Sequence, residues 1–372
     1  MPRSCTLVIM SPRGLALLAV LSPWLAAGCT GALETTSGVD TGPSGRDAGI
    51  RVDGAPRTDA SPGMDARVPR MDAGPASDAG PPPPTLAGCP ASLPSAWLFC
   101  EDFESGTAAL SRFVETSDSA HLTVVDDASH ARSGTHALYV PSGSDVGYEG
   151  GSATWSSWPT GYQELHLRAF VELATDFDSA HHFPLAIWGS RRDDMYSSYG
   201  LAGCRPNGSN FFTTQLDLTR DWGSTPAPGR FMLYTYWPDM TCEPGTRCAT
   251  YADPVAICAN CATRGAPCLS GPECCWGENL APATPVIPPR GVYQCLEMSA
   301  RMNDLGASNG WIAFSLEGTE RYRMTDMSIR TSDILELSTA VVGIYNAAGD
   351  SAQPNRAWFD DVVISTAAIG CD

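Results

Sequence analysis

Short runs of alternating apolar and polar residues, broken by Gly, Pro, Ser and Asp, fill the chain beyond Cys89, and no long stretch keeps a helical period. The clearest run is Gln163 to Val171. In it Leu165, Leu167, Ala169 and Val171 point one way and Glu164, His166 and Arg168 the other, which predicts a strand with one packed face and one wet face. Tyr293 to Met302 repeats the pattern, with Gln294, Leu296, Met298, Ala300 and Met302 alternating against Tyr293, Cys295, Glu297, Ser299 and Arg301. Further strands are predicted at Trp97–Phe103, Leu122–Asp126, Phe211–Leu218, Arg230–Trp237, Trp311–Leu316, Thr339–Tyr345 and Ala357–Ser365. So many strands in one region imply an all-β domain of two stacked antiparallel sheets, spanning 89–372.

The first 88 residues have a different pattern. Arg3 and Arg13 precede an apolar run that ends in Leu25-Ala26-Ala27-Gly28-Cys29. The run contains Pro23 and is too short for the ~20 apolar residues a membrane span needs. Leu25 to Cys29 resembles the lipobox of bacterial lipoproteins. That resemblance implies a signal peptide over 1–28, diacylglycerol on the Cys29 sulfur, a membrane anchor and a place in the bacterial cell envelope, periplasmic or surface-facing; an ordinary cleavable signal is the alternative. From 29 to 88, units such as Asp47-Ala48-Gly49, Asp72-Ala73-Gly74 and Asp78-Ala79-Gly80 lead into Pro81 to Pro84. So little of this segment can be buried that it reads as a disordered tether, on the order of 40 Å end to end.

The charge is strongly acidic, 41 Asp and Glu against 23 basic residues, and every basic residue is arginine. Without lysine, no mechanism using a lysine amine is open to this chain. The acidic excess argues against nucleic acid, whose phosphates need clustered cations. Nothing in the pattern calls for self-association, and the chain is read as a monomer. Of 14 cysteines, 12 remain beyond Cys29, an even number that fits full pairing in an oxidising compartment better than metal thiolates. Those between Cys242 and Cys275 mark a disulfide-rich insertion whose spacing resembles the front half of a knottin, either a stapled surface loop or a binding knob.

The order of several blocks resembles the jelly-roll polysaccharide lyases that act on alginate or glucuronan. They are His166 to Gly189, Gly203-Cys204, Asn210 to Leu216, Arg230 to Pro238, and the region from Gly291 through Asn309-Gly310-Trp311 and Leu316-Glu317-Gly318 to Arg330. The resemblance implies a two-sheet antiparallel β-jelly roll, a concanavalin A-like sandwich, with polysaccharide as its partner. Such lyases work by β-elimination: the uronate carboxylate is neutralised, a base takes the C5 proton and an acid protonates the leaving oxygen. By the resemblance Tyr234 and Tyr236, two apart on a strand and so on one face, are base and acid. His182 assists and Gln215 holds the carboxylate. Thr213, Arg168, His166, Glu297 and Arg301 are assigned to substrate. Against this, His182 replaces the family's lysine and Thr213-x-Gln215 replaces its Ser-x-Arg, so an equal expectation is a non-catalytic carbohydrate-binding or adhesion protein of the same fold. The tyrosines then stack on sugar rings or simply pack. No cofactor is required for catalysis on this reading. Glu101, Asp102 and Glu104 near the start and Asp361 near the end, if their strands pair, suit a structural Ca²⁺; otherwise they cap turns or meet solvent.

Overall fold

In the computed structural model, the residues described are 88–371, except 118–120, 143–149, 181, 183–184, 200–202, 221–224, 242–275 and 346–354. The signal sequence, the tether and the knottin-like insertion expected at 242–275 lie outside them. Two antiparallel sheets face one another across an apolar core. In sheet 1 the order runs β13 (Thr319–Met327), β12 (Gly310–Leu316), β11 (Tyr293–Arg301), β6 (Glu164–Leu173), β15 (Asn355–Ser365), β4 (His136–Ser142) and β3 (Thr123–Asp126). β1 (Trp97–Glu101) also pairs with β15. Sheet 2 runs β10 (Glu278–Leu280), β9 (Arg230–Tyr236), β8 (Phe212–Thr219), β7 (Leu185–Arg191), β14 (Leu335–Tyr345), β5 (Gly150–Ser156) and β2 (Glu115–Ser117).

The predicted alternation sets which residues enter the core. Leu165, Leu167, Ala169 and Val171 of β6 and Leu296, Met298 and Ala300 of β11 are buried between the sheets. From sheet 2, Phe231 meets Phe314 of β12 with ring centroids 6.1 Å apart. Phe231, Leu233 and Thr235 therefore point inward, and the alternate residues of β9 stand on the outer face of sheet 2. The β12–β13 hairpin turns through Glu317 and Gly318, both at positive φ, as the two-residue turn matched to strand twist requires.

The expected wet face of β6 is not wet. His166 is 5% exposed and Arg168 1%, because the C-terminal segment after β15 folds back over the outer face of sheet 1. Ile369 and Gly370 N–H groups donate to Glu297, and Arg168 donates to the Gly370 carbonyl. Cys371 is disulfide-bonded to Cys295 on β11. A second disulfide, Cys89–Cys100, fastens the entry to β1, and Cys204 is also disulfide-bonded. These bridges place folding of the domain in an oxidising, extracytoplasmic compartment.

The Cys295–Cys371 bridge spans a sequence separation of 76 residues, so removing it frees a large loop in the unfolded chain. Replacing both cysteines by serine is expected to cost about 2–5 kcal/mol in urea unfolding and to raise hydrogen exchange at Ile369 and Gly370. An unchanged midpoint with protected C-terminal amides would contradict the strap.

Candidate functional site

The outer face of sheet 2 is built by register. Pairing of β8 with β9 sets Thr213 opposite Tyr236, Gln215 opposite Tyr234 and Asp217 opposite Met232. Directly opposed residues share a face, and so Thr213, Gln215, Asp217, Tyr234 and Tyr236 stand together. The two phenolic oxygens are 3.0 Å apart, with the rings edge to face. Gly277 N–H donates to Tyr234 Oη at 2.9 Å and Gly203 N–H to Tyr236 Oη at 3.3 Å. A glycine is needed at 277, because a Cβ there would lie 2.6 Å from Cζ of Tyr234. One hydroxyl proton is used between the two tyrosines and the other is left for a ligand or solvent. Burial, and then the neighbouring Tyr236, push the Tyr234 phenol above its ordinary range; burial does the same to Tyr236. Both rings are therefore phenols at neutral pH.

His182 reaches this face from the loop before β7. Its backbone exchanges two 2.9 Å hydrogen bonds with Tyr345 at the end of β14. Its ring centroid is 5.2 Å from that of Tyr234. Nδ1 lies 2.7 Å from Oδ2 of Asp217, a carboxylate that is 1% exposed. In this contact a carboxylate oxygen accepts and Nδ1 donates, which leaves Nε2 as the ring's basic nitrogen. Among the described residues no donor reaches Oδ1 of Asp217. Sequence reasoning missed Asp217, although it continues the alternation Thr213, Gln215 within a predicted strand.

The four assigned residues His182, Gln215, Tyr234 and Tyr236 thus share one face with Thr213. His166, Arg168, Glu297 and Arg301 do not join them: they stand on the outer face of sheet 1, on the far side of the core. There His166 bridges Glu297 (Nδ1, 2.9 Å) and Glu164 (Nε2, 2.9 Å), and Arg301 lies 3.8 Å from Glu164. Burial pulls His166 down, but its two carboxylate partners outweigh burial and raise it above the usual histidine range. Glu297 is pushed up by burial, yet its bonds from His166 and the 369–370 amides hold it below the usual range. Glu297 and Arg168 hold the C-terminal strap, His166 is bonded to Glu297, and Arg301 sits beside Glu164 and Asp304, so the assignment of these four to substrate is corrected accordingly. Arg191 is also spoken for, in a two-point bond with Asp193.

The calcium expectation also changes. β1 does pair with β15, beside a bulge at Asp360–Asp361 where Asp361 takes φ 47°. The carboxylates nonetheless serve separate donors. Glu101 bonds Arg112 and Phe103 N–H; Asp102 accepts from Cys89 and Glu104; Glu104 accepts from Thr135 and His136. Asp361 accepts from Ser133, with Arg132 3.6 Å away. Among the described residues no three such groups form a cation cage, because arginine guanidinium groups supply the positive charge beside Glu101 and Asp361. These residues do not fit the expected Ca²⁺.

The domain is similar to alginate lyase vAL-1 from Chlorella virus, at TM-score 0.50 and 11% identity over 73% of this chain and 100% of that one. It is also similar to the PL-14 alginate lyase from Aplysia kurodai (0.49, 15%, 73% and 100%) and to an endo-β-1,4-glucuronan lyase from the fungus Trichoderma reesei (0.43, 14%, 73% and 96%). The fold is therefore a two-sheet jelly roll like that of alginate lyase vAL-1. No family model and no curated protein matches the chain.

Burial, and then the neighbouring Asp361 charge, push Asp360 up to about 7. A carboxylate raised in the folded state holds a proton that the unfolded chain releases, so stability is lost as pH rises from about 4 through 7. The raised His166 acts in the same direction, losing its contribution as pH rises above 6.5, while Glu297 is constant there. The urea midpoint is expected to fall between pH 6 and pH 8, with Asp360 alone contributing on the order of 1 kcal/mol; a flat or rising midpoint would contradict the assignment.

Proposed function

We propose that the outer face of sheet 2 cleaves a uronate-containing polysaccharide by β-elimination. The observation that carries this is the 2.7 Å His182–Asp217 contact beside the 3.0 Å tyrosine pair. His182 Nε2 takes the C5 proton, and Asp217 holds the ring in the tautomer that can do so. The C5 electron pair forms the C4–C5 double bond as the C4–oxygen bond breaks. The leaving oxygen receives the phenolic proton not used between Tyr234 and Tyr236. The Gln215 amide and the Thr213 hydroxyl donate to the uronate carboxylate as charge moves onto it. Because both phenols are raised, the base role falls to His182 rather than to a tyrosine.

A second reading, non-catalytic carbohydrate binding on the same face, is favoured by one observation. Arg168 and Arg301 stand on the other sheet and Arg191 is bonded to Asp193, so these arginines bring no charge to a uronate here. The two readings separate in one assay. Incubation with alginate, glucuronan or a mixed uronate polymer is expected to raise absorbance near 235 nm. His182→Ala and Tyr236→Phe should each lower the rate by about 10²–10⁴-fold. Retarded migration in gels containing the polymer, without any rise, would leave a binding protein.

We also propose that the domain is lipid-anchored through Cys29, on the strength of the Leu25 to Cys29 motif and the Asp-Ala-rich segment that follows. Labelled palmitate fed to the producing bacterium should enter the wild-type protein and not Cys29→Ser; equal labelling of both would end this reading.

A further inference from the structure

Across sheet 2 the row that holds Tyr236 and Thr213 continues to Trp188 on β7. Two strand spacings separate Tyr236 from Trp188, roughly 10 Å, the span of a couple of sugar rings. Trp188 packs edge-on against Tyr199, with centroids 4.9 Å apart, and Tyr199 against Tyr196 at 5.2 Å. Tyr196 is 51% exposed and Trp158 is 38% exposed.

Both exposed rings are tied to the end of β7, Trp158 through its indole and Tyr196 through the backbone of its turn. Trp158 Nε1 donates to the Arg191 carbonyl at 3.1 Å. The short turn Met195–Ser198 is fixed three times: Ser197 Oγ accepts from Arg191 N–H at 2.8 Å, Ser198 Oγ meets Ser190 Oγ at 2.8 Å, and Asp194 accepts from Tyr196 N–H at 3.0 Å. Anchoring of this kind removes the ordering entropy that a ligand would otherwise have to overcome. It does nothing to bury the rings.

The charges around this cluster are matched or negative. Arg191 is neutralised by Asp193 and Arg192 by Asp333 and Glu336, with Asp194 alongside. A uronate is repelled here, whereas an uncharged pyranose presents its apolar C–H face to a Tyr or Trp ring.

We propose that Tyr196, backed by Tyr199 and Trp188, forms with Trp158 at the same end of β7 a subsite that stacks an uncharged sugar of the polysaccharide crossing the Tyr234–Tyr236 face. The substrate class is thus a mixed polymer in which uronates are joined to uncharged sugars, rather than a homopolymer of uronate. This rests on the reading of that face as a polysaccharide site, but not on elimination taking place there.

The test reads binding rather than catalysis. The purified protein is titrated calorimetrically with cellohexaose, xylohexaose and mannohexaose, and with hexamers of mannuronate and glucuronate. At least one uncharged hexasaccharide is expected to bind. Tyr196→Ala should weaken it about tenfold, and Tyr196→Phe, which keeps the ring, should retain it. No binding of any uncharged hexasaccharide, no effect of Tyr196→Ala, or an equal loss for the uronate hexamers would each overturn the proposal. Failure of every polymer to give a 235 nm product, with this binding intact, would end the lyase reading and leave the subsite standing.

Discussion

The pairing of β8 with β9 places Gln215 opposite Tyr234 and Thr213 opposite Tyr236, and the candidate chemistry depends on that register. A slip of one residue would turn Leu216 outward on one strand and carry the tyrosine pair away from its partners on the other. What opposes the slip is the core: Leu216, Leu218, Phe231 and Leu233 are buried almost completely, and Phe231 meets Phe314 from the facing sheet. Burial of each such side chain is worth about 1.5–3 kcal/mol. The apolar half of each strand therefore holds the polar half in place, and Thr213, Asp217 and Tyr236, themselves buried, stand at fixed positions on the outer face.

The two outer faces use buried charge for different ends. On sheet 1, His166, Glu164, Glu297 and Arg168 are spent on one another and on the amides and carbonyls of the C-terminal strap. On sheet 2, Asp217 meets the partly exposed ring of His182, and the tyrosine pair retains a proton beyond its own hydrogen bond. The same residue types thus close one face and equip the other. What separates them is a strap that crosses sheet 1.

That strap also explains where the sequence misled. Glu164, His166 and Arg168 alternate with leucines as a solvent-facing row should, and nothing near them in the chain announces that Ile369 to Cys371, about two hundred residues later, will cover them. Local pattern was sufficient for β6, β9 and β11, whose alternation is strong. It missed β5, where Gly150, Gly151 and Ser152 carry little apolar signal, and β13, an edge strand whose side chains are mostly exposed. In β4, Pro141 breaks the strand pattern, yet it lies beyond the end of β3, where a missing N–H costs no pairing on that side. The shared face of His182, Gln215, Tyr234 and Tyr236 was legible through motif order, but Asp217 was not. Its role comes from a contact with His182, 35 residues away.

Cleavage by elimination on the sheet 2 face is tested most directly by the masses of the fragments. Elimination adds no water, so the fragments of a defined oligosaccharide should sum to the mass of the parent, one of them carrying an unsaturated uronate at its new end. Fragments whose masses sum to the parent plus one water, or no fragments from any uronate-containing oligosaccharide, would contradict it.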